Sequence, residues 1–163
     1  MRVLLVTGAP GSGKTTVLMT IGDILEAGDR PYALVDLDWL AWVRPDPARA
    51  TVREVLTWNL ASVLASYRDA GIRDIVASRF LPDPSHLEAV EAALPPGASL
   101  TVVRLEVPHG ELERRLAGRD TPEDRAGHLA MARDEVPVAD AVTVDGDAPP
   151  IEVAARVLHA AGW

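Results

Sequence analysis

The sequence predicts a three-layer α/β sandwich on a five-stranded parallel sheet, and three observations carry the prediction. Short apolar runs alternate with helix-length stretches along the whole chain, the pattern that builds parallel strands covered by helices on both faces. The runs are nearly continuous in Val, Ile and Leu, as expected of strands buried on both sides. The first run, Val3-Leu4-Leu5-Val6, leads through a glycine-rich turn into a helical pattern, so the chain opens with a strand, a turn and a helix in immediate succession.

In chain order the expected strands are Arg2–Thr7, Pro31–Asp36, Asp74–Ser78, Leu100–Glu106 and Ala141–Val144, each bounded by Gly, Pro, Asp or Ser. Helices are expected at Lys14–Ala27, Thr51–Ala70, Pro84–Leu94, Gly110–Ala117, Pro122–Arg133 and Pro149–Ala161. Gly28, Gly71 and Gly162 follow three of them as stops. Arg44-Pro45-Asp46-Pro47 reads as an irregular connector, because a residue before proline is pushed out of the helical region. Ligands of such sheets sit beyond the carboxyl ends of the strands, which selects Gly8–Thr15, Asp36–Arg44, Ser78–Pro84 and Glu106–Gly110 as the segments around a site.

Composition narrows the function classes. The 163 residues, 48% of them hydrophobic, suit one domain with its own core. A net charge of −8 and a pI near 4.9 argue against a nucleic-acid surface, which needs many cations facing phosphates. The absence of cysteine excludes disulfides, thiolate catalysis and a cysteine-held metal. No apolar run approaches the ~20 residues that span a bilayer, and Met1-Arg2 leads straight into the first strand; the expectation is a cytoplasmic protein with no membrane partner.

Gly8-Ala9-Pro10-Gly11-Ser12-Gly13-Lys14-Thr15 fits G-x-x-x-x-G-K-[ST], the phosphate-binding loop, in its proper context between a strand and a helix. A polyphosphate must be wrapped by converging backbone N–H groups, and glycine lets the chain turn sharply enough beside it. Lys14 then reaches the β- and γ-phosphates and Thr15 offers a hydroxyl to Mg²⁺. The loop with Thr16 is therefore the expected nucleotide site, at the positive end of the following helix. No N-K-x-D-like guanine element occurs, which favours ATP.

Asp36-Leu37-Asp38 puts two carboxylates at the end of the second strand, turned to the same side if the strand continues. One carboxylate can hold Mg²⁺ or its waters and the next can take the proton of an attacking hydroxyl, so Asp36 is assigned to the metal and Asp38 to the base. The competing reading is that the pair ends the strand and caps a short helix, with Asp38 as the cap. Arg115 and Arg119, four apart, offer a guanidinium to stack on a base and another to close over phosphates; Glu111, four before Arg115, offers plain helix charge pairing instead.

Together these residues resemble the superfamily of small P-loop kinases that includes nucleoside monophosphate kinases, shikimate and gluconate kinases, adenylylsulfate kinase and chloramphenicol phosphotransferase, over essentially the whole chain. The Asp36-Leu37-Asp38 element looks like the D-x-D of shikimate kinases, and Arg115-x-x-x-Arg119 looks like the superfamily's lid arginines. The resemblance implies sheet order 2-3-1-4-5, a kinase transferring the γ-phosphoryl group of ATP with Mg²⁺ to a small-molecule hydroxyl, and a lid at about 115–128. It also implies Lys14 and Arg119 on the transferring group, Thr15 and Asp36 on the metal, Asp38 as base and Arg115 against adenine, with Asp145-Gly146-Asp147-Ala148-Pro149 wrapped around that base. The chain departs from shikimate kinases in ending its third strand with Ala77-Ser78-Arg79-Phe80 in place of a glycine-rich turn, and it lacks a carboxylate there for a conventional Walker B element.

The acceptor site is expected over residues 38–60, with Trp39, Arg44, Asn59 and Arg79 as candidates. Trp39, Trp42 and Trp58 read either as an apolar wall or as buried packing; Asn59 reads as an acceptor ligand or as a partner for nearby backbone. Arg79 is best placed for an anion, and the four histidines, lacking metal-ligand spacing, are assigned no role. A nucleoside or nucleotide kinase, and a regulatory ATPase without an acceptor, stand as the competing readings.

Overall fold

The computed structural model describes residues 1–163. The strands are β1 (Arg2–Thr7), β2 (Tyr32–Asp36), β3 (Asp74–Ser78), β4 (Ser99–Glu106) and β5 (Val142–Asp145). The helices are α1 (Lys14–Glu26), α2 (Leu37–Leu40), α3 (Val52–Asp69), α4 (Pro84–Glu91), α5 (His109–Ala117), α6 (Pro122–Asp134) and α7 (Pro150–Ala160). The strands form one parallel sheet in the order β2-β3-β1-β4-β5, with β1 between β3 and β4.

Alternation along β1 divides the core. Val3 and Leu5 face α3 and α4 with Val35, Leu56, Leu64, Ile75 and Val90; Leu4 and Val6 face α1 and α7 with Ile21, Val103, Leu105 and Val157. Leu4 and Leu5 are wholly buried, each contributing roughly 2 kcal/mol by leaving water. At the amino ends of the strands Arg2 makes two 2.8 Å bonds to Asp74 and covers the Trp163 ring at 4.6 Å, closing the edge remote from the site.

Two expectations need correction. β2 stops at Asp36, and the chain turns at once into α2, so the two carboxylates do not share a strand face. The cause is local: the Asp36 carboxylate accepts a 3.0 Å bond from the Asp38 N–H, making Asp36, and not Asp38, the cap. α4 ends three residues before the expected Leu94, because the chain tightens into i→i−3 bonds at Ala93 and Leu94 before Pro95.

α5 and α6 form a hairpin over the carboxyl edge of the sheet. No residue of α6 is fully buried, and its far end is fixed by two 3.2 Å bonds from Arg104 on β4 to Glu135 and by the Val136 N–H donating to the Pro82 carbonyl at 2.9 Å. α3 is fixed at its start by a reciprocal Thr51–Glu54 capping box.

Candidate nucleotide and acceptor site

The loop after β1 has the backbone its sequence requires. Gly8 has φ of 137°, and a Cβ there would stand 2.6 Å from the Leu105 carbonyl oxygen; Gly11 has φ of 85° and lies under Leu116. α1 has no side-chain cap, so its first N–H groups are left to an anion at the helix's positive end. Lys14 Nζ donates to the Gly8 and Ala9 carbonyls at 2.9 and 3.1 Å. Burial pulls its pKa down to about 8, against the opposing pull of Asp38, Glu135 and Asp36. Thr7 Oγ1 and Ser12 Oγ are buried in or beside the loop without a partner. Uncapped N–H groups, a hydroxyl in reserve and a partly desolvated ammonium form a donor set that suits a polyphosphate.

Two hollows meet at this loop. One, of about 320 Å³, is lined by Gly11 to Gly13, Thr16, Arg115, Arg119, Gly146, Ala148 and Val153. The second, of about 450 Å³, is lined by Lys14, Thr15, Asp38, Arg79, Phe80, His86, Arg119 and His128. Gly11 and Arg119 line both, so the hollows are neighbours at the phosphate-binding loop. The first has the dimensions and backbone edges of a nucleotide pocket and the second those of a small-molecule pocket.

Arg115 makes the helix charge pair with Glu111 and also lines the first hollow. Its Nε bonds Glu111 at 2.6 Å, four residues back, while its other nitrogens reach the Gly146 carbonyl at 3.2 Å and Asp147 at 3.1 Å, at the wall of the first hollow. Arg119 is held differently: its Nε bonds Asp120 at 2.7 Å, and the same carboxylate meets His128 Nδ1 at 2.6 Å. Asp120 is 7% exposed and its carboxyl is held down at about 2 by those two partners, so it acts as the post that aims Arg119 and His128 at the second hollow.

Asp38, half-exposed on α2, is the carboxylate that lines this hollow. Burial raises its pKa, and the Arg79 guanidinium, whose Nη1 lies 3.4 Å away, works against that rise. Asp36 does not line the hollow, but it is close enough to bias Lys14, Asp38 and Arg79 electrostatically. No three His, Asp, Glu or Cys side chains converge as a metal cage. The oxygens at hand, the Thr15 hydroxyl and the Asp36 and Asp38 carboxylates, fit a cation that takes most of its ligands from phosphate and water.

Three of the four acceptor candidates fall away from the hollow. Asn59 donates to the Leu40 carbonyl at 2.9 Å and so serves the backbone of α2. Arg44 lines a separate surface hollow with Val43, Pro45 and Pro47. Trp39 stacks on Trp42 with ring centroids 5.2 Å apart, the two being 71% and 76% exposed, and neither lines the second hollow. The roof expected from residues 38–60 comes instead from the segment after β3 and from α6, through Phe80, His86, His128 and Met131. Those residues carry no motif and are brought over the loop only by the tertiary fold.

A parallel sheet in this order, with a phosphate-binding loop after its first strand and a helical hairpin over it, defines a P-loop α/β fold of the kinase type. A family profile described as an AAA domain matches residues 3–135, and the chain belongs to that family. Among solved structures it is similar to the adenylylsulfate (APS) kinase of Mycobacterium tuberculosis in complex with AMPPNP and APS: TM-score 0.72, 19% identity, 99% of this chain and 98% of that one. It is also similar to a gluconokinase from Sinorhizobium meliloti, with TM-score 0.65, 23% identity and coverage of 99% and 91%. The tunicamycin resistance protein of Deinococcus radiodurans gives TM-score 0.66, 15% identity and coverage of 99% and 95%. At these identities the likeness establishes the fold. No curated protein matches the sequence.

Proposed function

We propose that the chain is a kinase that transfers the γ-phosphoryl group of ATP to a hydroxyl of a small molecule. The observation that carries this reading is a second hollow next to the first, in which Lys14 and Thr15 of the phosphate-binding loop share the lining with the Asp38 carboxylate. An ATPase that only hydrolyses or senses nucleotide has no need of a second hollow with its own base. Neighbours in fold whose names include gluconokinase and APS kinase support the same class of reaction.

In this reading adenine and ribose occupy the hollow lined by Arg115 and Gly146, and the phosphates run along Gly8–Thr15 toward the second hollow. Lys14 exchanges the carbonyls of Gly8 and Ala9 for phosphate oxygens, regaining a counter-charge for its desolvated ammonium. Asp38 accepts the proton of the acceptor hydroxyl, and its raised pKa makes it the stronger base. Arg119, held by Asp120, faces the charge that develops on the transferring group. Thr15 and Asp36 are the residues that would hold Mg²⁺, which when bound neutralises charge on the phosphates.

The test is ATP consumption by the purified protein with Mg²⁺ against nucleosides, nucleotides, sugars, hydroxy acids and hydroxylated antibiotics. The expected result is a rise that depends on one class of acceptor and vanishes in Asp38→Asn. Slow turnover that no acceptor accelerates would overturn the reading in favour of a regulatory ATPase.

A further inference from the structure

We infer that the acceptor carries an anionic group, a carboxylate or a phosphate ester, held by Arg79 at the floor of the second hollow. This inference rests on the kinase reading of the same site and names the class of acceptor it takes.

Arg79 is the one arginine in the fully buried set, at 8% exposure, and yet it is poorly paired. Its Nη1 donates to the Leu37 carbonyl at 3.1 Å and lies 3.4 Å from Asp38, while its Nε is buried with no partner at all. Two other partly buried arginines are held otherwise. Arg2 has two bonds of 2.8 Å to Asp74, and Arg104 has two of 3.2 Å to Glu135, each using the planar fork of the guanidinium on both oxygens of a carboxylate. Arg115 divides its bonds between Glu111 and Asp147, whereas the only carboxylate contact of Arg79, the most buried arginine, is the long one to Asp38, and a buried guanidinium left short of acceptors is unfavourable.

Asp38 does not fill that place. Its side chain is 56% exposed, meets Arg79 through a single long contact, and in the proposed reaction becomes neutral as it takes the acceptor's proton, leaving Arg79 with only the field of Asp36, which makes no bond to it. The rest of the lining is cationic or neutral: Lys14 and Arg119 are used by the phosphates, and His128 is bound to Asp120. Asp36 caps α2, and Glu135 is bound by Arg104. His86 lies in the same wall with a buried Nδ1 that has no hydrogen bond, its nearest carboxylate, Asp83, standing 3.3 Å away out of line. A carboxylate or phosphate on the acceptor supplies what Arg79 lacks, with His86 beside it in the wall. A neutral acceptor closed into this hollow would leave the guanidinium without its fork partner.

Matched acceptor pairs test this directly: glycerate with glycerol, gluconate with glucose, and nucleoside monophosphates with nucleosides, each assayed with wild type, Arg79→Met and Arg79→Lys. For the acceptor that is used, kcat/KM is expected to favour the anionic member by roughly 100-fold or more. In Arg79→Met that preference should shrink to a few-fold, mainly through KM, with partial recovery in Arg79→Lys; the pair that responds tells carboxylate from phosphate. Equal use of neutral and anionic members by wild type would overturn the inference. So would an Arg79→Met variant that loses kcat equally for both members with KM unchanged, since Arg79 would then only orient Asp38. If no compound is phosphorylated, the kinase reading fails, and the anion site is judged by calorimetry on protein saturated with a non-hydrolysable ATP analogue. Binding of glycerate or inorganic phosphate that Arg79→Met abolishes would uphold the site; absent or unchanged binding would overturn it.

Discussion

Substituting Gly8 by alanine tests how rigidly the phosphate loop is built, and the structure supplies its own control in Gly22. An added Cβ meets an atom at 2.6 Å in both places, so distance alone predicts equal damage. The surroundings predict otherwise. At Gly8 the atom is the backbone carbonyl oxygen of Leu105, a buried residue of β4, and φ of 137° is a region that L-residues avoid. The backbone conformation costs about 1–3 kcal/mol. Displacing the strand or the loop to relieve the contact costs about 1–3 kcal/mol more. At Gly22 the atom is the tip of the Leu34 side chain, which can rotate away for about 1 kcal/mol. Alanine within α1 recovers a similar amount in helix propensity. Gly8→Ala should therefore lose about 2–6 kcal/mol and melt on the order of 10 °C lower in a chain of this size. Gly22→Ala should melt within a few degrees of the parent. Differential scanning calorimetry with nucleotide-analogue titrations on both variants reads the contrast. A Gly8→Ala protein with parental melting and parental affinity would refute the reasoning, because the loop would then have room that the structure denies it.

Other consequences follow from the same geometry. Because Lys14 titrates at about 8 in the folded protein, below its ordinary range, it is charged below that pH and neutral above it, while bound phosphates favour the charged form; nucleotide affinity should be flat below pH 8 and fall by up to about tenfold per unit above it, with proton uptake on binding seen in buffers of different ionisation heat. Affinity that stays level from pH 7 to 9.5 would contradict the depressed lysine. Arg119→Ala should lower kcat by at least about tenfold with a much smaller change in nucleotide Kd, and an effect confined to Kd would make it a binding residue only. Arg104→Met removes the partner of Glu135, whose side chain is 4% exposed, and should destabilise the fold by about 3 kcal/mol in urea unfolding. A shift below about 0.5 kcal/mol would show that Glu135 finds water or another donor.

The sheet was legible in the sequence because each strand is a short run rich in apolar residues closed by a breaker: every strand boundary lies within one residue of its expected place. The phosphate loop was legible because its chemistry is local, residue by residue. What failed to read was set by contacts remote in sequence or by a competition between local bonds. Asp36-Leu37-Asp38 looked like the end of a strand since alternation says nothing about a side chain capping its own backbone two residues on. Asn59 was one of two open readings until the Leu40 carbonyl appeared beside it. His128 sits on α6, a helix with no fully buried residue, and nothing in its spacing says that Asp120 will turn it toward a hollow lined by residues more than a hundred positions earlier. Trp39 and Trp42, whose type reads as core, stack on each other at the surface.

Transfer of phosphate to a small molecule is followed best on the γ-phosphoryl group itself. The protein is incubated with ATP labelled with ¹⁸O on the γ-phosphate, Mg²⁺ and the acceptor mixture, and the label is traced by mass spectrometry in wild type, Lys14→Ala and Asp38→Asn. Label is expected in one phosphorylated small molecule with wild type and in none with either variant. Label found only in inorganic phosphate, at a rate that Asp38→Asn leaves unchanged, would contradict transfer to a small molecule.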